Sequence, residues 1–319
     1  DDPRVTTFVV PLGAGPGQVG QLWNDEETGR LSRRLEETGW IKKGVFYVID
    51  EPPPEAVTDV IRLGKRVHAL NPRFRYLVTA HSNHLIRRGL LEEAEVDIWV
   101  PLLSLMSLPA ERMLLLEEQK KGKELWWYTC VVPKWKGMNY FIDEGACAPR
   151  LHPWMSFLYG NQGILYWATD NWTGVNCNPW QDTETYPGGN GDGSLLYPGR
   201  NQHPVASIRL KMLREGLEDY ELLQILGSRL RRAASRIGEA ASAYRPEKRL
   251  FEHALALVTE EGRGHPLGRD APYLKYVTDD YRLVEKRREA ILDEIGQAGK
   301  APIVLVDTDP CDNGYTSSD

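Results

Sequence analysis

The sequence predicts an α/β fold. We expect a barrel of the (β/α)8 type, incomplete at its N-terminus with about six of its eight strands present, followed by C-terminal helices. Three observations carry this expectation. Short apolar runs alternate with helical patterns, which predicts parallel strands joined by right-handed crossovers. The runs are almost continuously apolar, as in strands covered on both faces. No glycine-rich dinucleotide loop follows any of them, which argues against an open doubly wound sheet.

The predicted strands are Val5–Val10, Val45–Ile49, Arg75–Thr79, Val96–Leu103, Leu125–Val131 and Gly163–Ala168. Between them the helical periodicity falls on Glu26–Thr38, Glu55–Leu70, His84–Glu93, Pro109–Gly122 and roughly His152–Tyr159. The first strand has no helix before it, so about two βα units are expected to be missing at the N-terminus. Asp50–Glu51 would then end the fourth strand of the complete barrel.

After Thr169 the texture changes. Asp170–Arg200 is a long polar loop rich in Gly, Asn, Asp and aromatics, and long loops in compact domains are usually functional. Pro204–Ala241 reads as helix, interrupted by Gly216, Gly227 and Gly238. Arg249–Glu260 and Asp279–Gln297 are further helices, joined by the Gly/Pro-rich Gly262–Pro272. Ile303–Val306 is at best an edge strand in a loose tail. The expected division is a partial barrel over 1–241, a helical extension packed on it over 242–300, and a tail over 301–319.

Bulk properties narrow the function. The 319 residues can bury a large core, and the net charge of −6 gives no reason to expect nucleic acid or an anionic membrane as partner. No apolar run is long enough to cross a bilayer, and Asp1-Asp2-Pro3 is the wrong chemistry for a signal peptide. Cys130, Cys147, Cys177 and Cys311 form no Cys-x-x-Cys pair, which disfavours a zinc ribbon or thioredoxin-type site. A disulfide among the first three is not decided by spacing. No histidine pair has metal-ligand spacing on a helix face, and neither a Gly-x-Ser-x-Gly elbow nor a P-loop occurs. The Gly-rich run around Asp192 lacks EF-hand spacing. We therefore expect no cofactor and no metal.

The chemistry concentrates at Val45-Phe-Tyr-Val-Ile-Asp-Glu-Pro-Pro-Pro54. Prolines lack the donor a continuing strand needs, so the strand ends near Asp50–Glu51. In a βα barrel that end is the rim where active sites lie, and paired carboxylates suit acid-assisted glycosidic cleavage. Two schemes fit. In one, the partner carboxylate sits on another strand. In the other, the substrate's own 2-acetamido oxygen attacks, Glu51 protonates the leaving oxygen and Asp50 holds the acetamido N–H. The structural alternative is a pair of helix N-terminal charges ahead of Glu55–Leu70.

Other candidates surround this rim. His81 follows the third predicted strand. Tyr128, Trp167 and Trp172 form a candidate aromatic cleft, with core packing as the alternative for any single ring. Asp192 and Tyr197, in Asp192-Gly-Ser-Leu-Leu-Tyr-Pro-Gly199, are expected to hydrogen-bond sugar hydroxyls, with a solvated loop as the alternative. Asp170 and Asp192 are candidate second carboxylates for a conventional retaining enzyme. Arg214 and Glu218 have ion-pair spacing and are read as clamping their helix to the barrel. His152 and His203 precede prolines and are read as turn or cap residues.

Leu35-Glu-Glu-Thr-Gly-Trp-Ile-Lys-Lys-Gly-Val-Phe-Tyr-Val-Ile-Asp-Glu-Pro-Pro53 resembles glycoside hydrolase family 123 and the broader domain of unknown function 4091. Gly163-Ile-Leu-Tyr-Trp-Ala-Thr-Asp-Asn-Trp172, the 192–199 segment and Arg209–Leu223 carry the same resemblance, in order across about residues 5–295. The resemblance implies a (β/α)8-type barrel, usually preceded by a β-sandwich not seen in this sequence. It also implies an exo-acting β-N-acetylgalactosaminidase that uses substrate-assisted, retaining catalysis without metal. By motif position Asp50 matches the residue that orients the 2-acetamido group and Glu51 the general acid/base. Tyr128, Trp167 and Tyr197 fall where such enzymes line the sugar pocket. The expected partner is then a glycan, glycolipid or oligosaccharide. Secretion to the cell exterior or periplasm suits such a role.

Overall fold

The computed structural model describes residues 4–10, 25–106, 108–132, 139–171, 178–184, 189–237, 246–258 and 278–298. The elements run β1 (Phe8–Val9), α1 (Asp25–Glu37), β2 (Gly44–Ile49), α2 (Val57–Leu70), β3 (Arg75–Ala80), α3 (Arg88–Glu93), β4 (Ile98–Pro101), α4 (Leu103–Met106), α5 (Pro109–Lys120), β5 (Glu124–Thr129), α6 (Ala148–Tyr159), β6 (Gly163–Tyr166), β7 (Leu196–Pro198), β8 (Pro204–Ala206), α7 (Ile208–Ile237), α8 (Pro246–Val258) and α9 (Tyr281–Gln297). A 3-10 turn, Pro54–Ala56, leads into α2.

β1 to β6 form one sheet in strict sequence order, every neighbouring pair parallel. An order without reversal means that each crossover steps the same way, as in a barrel wall. A doubly wound sheet would show a switch point. The described strands make a curled half-barrel of six, and a closed eight-stranded barrel is not formed among them.

Strand alternation sorts the apolar residues between two cores. Phe46, Val48, Tyr76, Val78, Trp99, Leu125 and Trp127 face the helices and pack with Val60, Leu63 and Val67 of α2, Leu115 of α5 and Trp154 of α6. Val45, Leu77, Ile98, Val100 and Tyr128 face the concave side, joined by Tyr47, Trp126 and Leu165. In Trp126-Trp127-Tyr128 the middle ring is therefore core, and its two neighbours line the inner face. Thr79 is two residues beyond Leu77 on β3 and shares that inner face.

Several boundaries differ from the expectations. Pro204–Ala206 is strand, paired antiparallel with β7, and α7 begins only at Ile208. Pro198 and Pro204 pair at one end of that hairpin, and β-branched Val205, opposite Tyr197, is strand where helix was expected. Leu103, expected in a strand, opens the single turn of α4. Gly216 and Gly227 do not interrupt α7, which runs unbroken for 30 residues. Gly216 is there for close approach, since a Cβ would lie 2.2 Å from the Arg150 carbonyl oxygen of α6. Gly238, the Gly262–Pro272 loop and Ile303–Val306 lie outside the described residues.

α6 packs along α7, and α8 and α9 pack against the same pair. The clamp between them is Asp219, which is wholly buried. Arg150 donates to it through Nε at 2.7 Å and Arg288 through Nη1 at 2.5 Å. Arg214 and Glu218, expected to be the clamp, form a surface pair at 3.6 Å with side chains 66% and 50% exposed. Glu218 also lies 3.5 Å from Arg288 Nη2, so it stands at the exposed edge of the cluster whose buried centre is Asp219. His152 is buried inside α6 with its ring against Trp127 and Tyr140, which corrects the expected turn or cap role. Cys130 and Cys147 are free thiols, so neither joins a disulfide; Cys177 and Cys311 lie outside the described residues.

Candidate active site

β2 ends in the acid pair, and its backbone departs from a regular strand twice there. The β2–β3 register slips between Tyr47 and Ile49, which makes Val48 a bulge. Glu51 then takes φ +42°, in the left-handed region that non-glycine residues rarely occupy. Prolines 52 to 54 follow and prevent the strand from continuing.

These two turns bring the neighbouring acids to one rim. Thr79 Oγ1 donates to Oδ1 of Asp50 at 2.9 Å, and the Glu51 backbone N–H donates to the same hydroxyl at 2.8 Å. The Tyr47 hydroxyl also donates to Asp50 Oδ1. The Tyr128 hydroxyl, from the inner face of β5, donates to Glu51 Oε1. Asp50 is exposed and Glu51 half-buried, so both can meet a ligand. No hydrogen bond from a described residue reaches Asp50 Oδ2 or Glu51 Oε2. Each acid is thus held by one oxygen and presents the other.

The phenols are fixed as donors. Burial, then the hydrogen bond to Glu51 and its charge, pushes Tyr128 well above the ordinary phenol range. Burial and the Asp50 charge do the same to Tyr47. Two residues beyond Tyr128, Cys130 is half-buried against the same inner-face cluster. Its thiol is pushed up to about 11 by burial first, with the charges of Glu51 and Asp192 adding to the effect. Both carboxylates are therefore within electrostatic reach of one sulfur.

Asp192 is placed differently from the expectation. It has no exposed surface, and its carboxylate accepts from the Tyr166 hydroxyl at 2.7 Å and the Trp167 indole at 3.1 Å. A carboxylate so buried and so engaged positions the rings above it and is not itself presented to a ligand. Trp167 is 46% exposed, and Gly193, at φ +68°, lies beneath it where a Cβ would fall 2.5 Å from the indole. Burial and the Asp192 charge push the Tyr166 phenol up, which keeps it a donor.

Tyr197 is nearly buried. Its ring lies 4.9 Å from Trp180, and its hydroxyl accepts from Arg209 at 3.2 Å. Arg209 also donates to the carbonyls of Tyr140, Gly191 and Ser194 at 2.5–2.7 Å, which anchors the loop carrying Asp192 to the start of α7. Asp170 is exposed and bridges Ser194. His81 is exposed after β3, its ring 5.9 Å from His84, and His84 bonds the Pro52 carbonyl at 2.9 Å. That bond ties the loop after β3 to the residue following Glu51. Trp172 lies outside the described residues.

Thr79, Tyr47, Trp180 and Arg209 escaped the sequence reading as site residues. Tyr47 and Thr79 sit in apolar strands and look like core. Their alternation with the inner-face set was the available signal. Trp180 stood in the loop already marked by its aromatic richness. Among the described residues no three His, Cys, Asp or Glu side chains gather to hold a metal ion. None of the described helices is long and apolar enough to cross a membrane.

A parallel sheet wound in one direction, with two acids presented at a strand's carboxyl end and aromatic rings on the adjoining loops, fits the catalytic domain of a glycoside hydrolase. The family model for the glycoside hydrolase 123 catalytic domain matches residues 25–226, more than half of the chain, and this chain belongs to that family. No curated protein matches it. Among solved structures, it is similar to a family 123 glycoside hydrolase from Clostridium perfringens studied for glycolipid glycan hydrolysis. The TM-score is 0.57 at 18% identity, over 89% of this chain and 46% of that one. The likeness is one of fold, and this chain spans less than half the length of that enzyme.

Proposed function

We propose that this domain removes terminal 2-acetamido-2-deoxy-β-hexosides, N-acetylgalactosamine first among them, by substrate-assisted catalysis with retention. The observation that carries the reading is the adjacency of Asp50 and Glu51 on one rim, each tethered through one oxygen. The acetamido group of such a sugar is next to the anomeric carbon, so its two partners must be close neighbours.

In the first step Glu51 gives its proton to the glycosidic oxygen as the C1–O bond breaks. The acetamido carbonyl oxygen attacks C1 from the opposite face and forms an oxazolinium ring. Asp50 accepts the amide N–H and balances the positive charge that develops there. In the second step Glu51, now a carboxylate, takes a proton from water. The water oxygen bonds to C1, the C1–O bond of the ring opens, and the acetamide is restored with retained configuration. Trp167 and Tyr197 form the sugar-facing wall together with Tyr128, and Asp192 sets the Trp167 ring. His81 and Asp170 flank the opening as further contacts.

A conventional retaining mechanism needs a second carboxylate about 5 Å from the acid. Asp192 is poorly suited to attack, because both its oxygens already accept hydrogen bonds from Tyr166 and Trp167. Nitrophenyl β-glycosides of N-acetylgalactosamine, N-acetylglucosamine and galactose test the proposal, with wild type beside Glu51→Gln. Turnover of acetamido sugars alone, lost in the variant, is the expected result. Turnover of plain galactoside, or binding without turnover, would overturn it.

A further inference from the structure

We propose that Thr79 is the positioning residue that makes this acid pair work, by holding Glu51 in its left-handed backbone conformation and Asp50 at a fixed angle through one hydroxyl. The role rests on the reading of Asp50 and Glu51 given above, and it adds a residue outside the acid motif.

A threonine hydroxyl offers one proton and two lone pairs. Here the proton goes to Oδ1 of Asp50 at 2.9 Å, and a lone pair accepts the Glu51 N–H at 2.8 Å. The Tyr47 hydroxyl stands 3.3 Å from the same oxygen, while its own proton is committed to Asp50. A single side-chain oxygen on β3 therefore touches both acids of β2: one at its carboxylate, the other at its backbone. Thr79 is 1% exposed, and its β-branched side chain is stiff about χ1, so the hydroxyl has little freedom to turn elsewhere.

The backbone bond matters because of where Glu51 sits. A non-glycine residue at φ +42° is strained and persists only where surrounding contacts fix it. Pro52 is confined by its own ring, and the Glu51 N–H bond to Thr79 fixes the other side of the residue. Without it, Glu51 is free to relax toward negative φ. Its side chain would then swing away from Tyr128 and from the face that Asp50 occupies. The bulge at Val48 has the complementary effect, since it shifts the β2–β3 register and brings the acids level with Thr79.

The test compares Thr79→Val, which keeps the shape and loses the hydroxyl, with Thr79→Ser, which keeps the hydroxyl. On the glycoside that wild type turns over, Thr79→Val should lose about 100-fold in kcat. Its KM should stay within about threefold of wild type, and Thr79→Ser should recover most of the rate. Crystal structures of wild type and both variants supply a readout independent of turnover. In Thr79→Val, Glu51 should leave positive φ and lose its Tyr128 hydrogen bond; in Thr79→Ser both should remain. A valine variant as active as wild type, or one that keeps the Glu51 geometry, overturns the proposal. So does an equal loss in the two variants with melting temperatures lowered alike, which would mark a packing role. Wild-type inactivity on acetamido sugars would instead sink the catalytic reading, and the crystallographic comparison would still decide the role of Thr79.

Discussion

Tyr128 and Glu51 stand 77 residues apart in the chain and are joined by one hydrogen bond, from the phenol of β5 to Oε1 at the end of β2. The bond crosses the inner face of the sheet and leaves the other Glu51 oxygen, Oε2, without a hydrogen bond from a described residue. Replacing Tyr128 by Phe keeps the ring in its buried place and removes only this donor. A hydrogen bond to a charged group contributes about 1.5–3 kcal/mol, so kcat/KM should fall about ten- to a hundredfold. Steady-state kinetics beside a thermal melt would check this. An unchanged rate would mean that Glu51 is positioned without the phenol.

Asp192 should act on binding more than on chemistry. Asp192→Ala leaves the Tyr166 hydroxyl and the Trp167 indole without their acceptor and frees an exposed ring. We expect KM to rise about tenfold with a smaller change in kcat, and stability to fall about 1–3 kcal/mol from the stranded donors. Trp167→Ala should reproduce the KM effect without the stability loss. Kinetics and denaturant titration of the two variants separate these effects.

Cys130 reports on the charge of the site. With its thiol pushed up to about 11 by burial and by the Glu51 and Asp192 charges, the reactive thiolate is scarce at neutral pH. Its alkylation by iodoacetamide should be slow at pH 7 and quicken about tenfold per pH unit until the thiol titrates. Removing a negative neighbour lowers the cost of the thiolate, so Glu51→Gln should speed the reaction at fixed pH. Peptide mapping of the alkylated protein isolates Cys130 from the other cysteines.

Asp219 should be a stability residue with no part in the chemistry. It is wholly buried between Arg150 and Arg288, and removing a partner of a buried ion pair typically costs about 3–5 kcal/mol. Asp219→Ala should lose that much in urea unfolding. Arg214→Ala, at the exposed pair one turn away, should lose less than about 1 kcal/mol.

The alternation of elements was legible in the sequence because each strand and helix carries its own period. The six predicted strands are the six of the sheet, with ends displaced by a few residues. The acid pair was legible because prolines end β2 directly after it. Other features were not, and for distinct reasons. Helix spacing picked out Arg214–Glu218, but which face of α7 is buried depends on where α6 crosses it, and that selected Asp219. The composition of the Asp192 loop read as polar and functional, with Asp192 presented to a ligand and a solvated loop as the alternative. The Arg209 guanidinium, from a helix entered later, pulls its carbonyls inward and buries it. Pro204 and Val205 read as the start of a helix until pairing with β7 made them strand.

By itself the chain determined the parallel winding, the rim at which β2 stops and the two carboxylates standing there, since all three follow from local pattern and from proline's missing donor. Only the tertiary structure decided that Thr79, Tyr47 and Tyr128 meet those carboxylates and that Asp192 serves an indole. Those contacts depend on strand register, a one-residue bulge and loop packing. They join residues as much as 77 positions apart, and no local period records them.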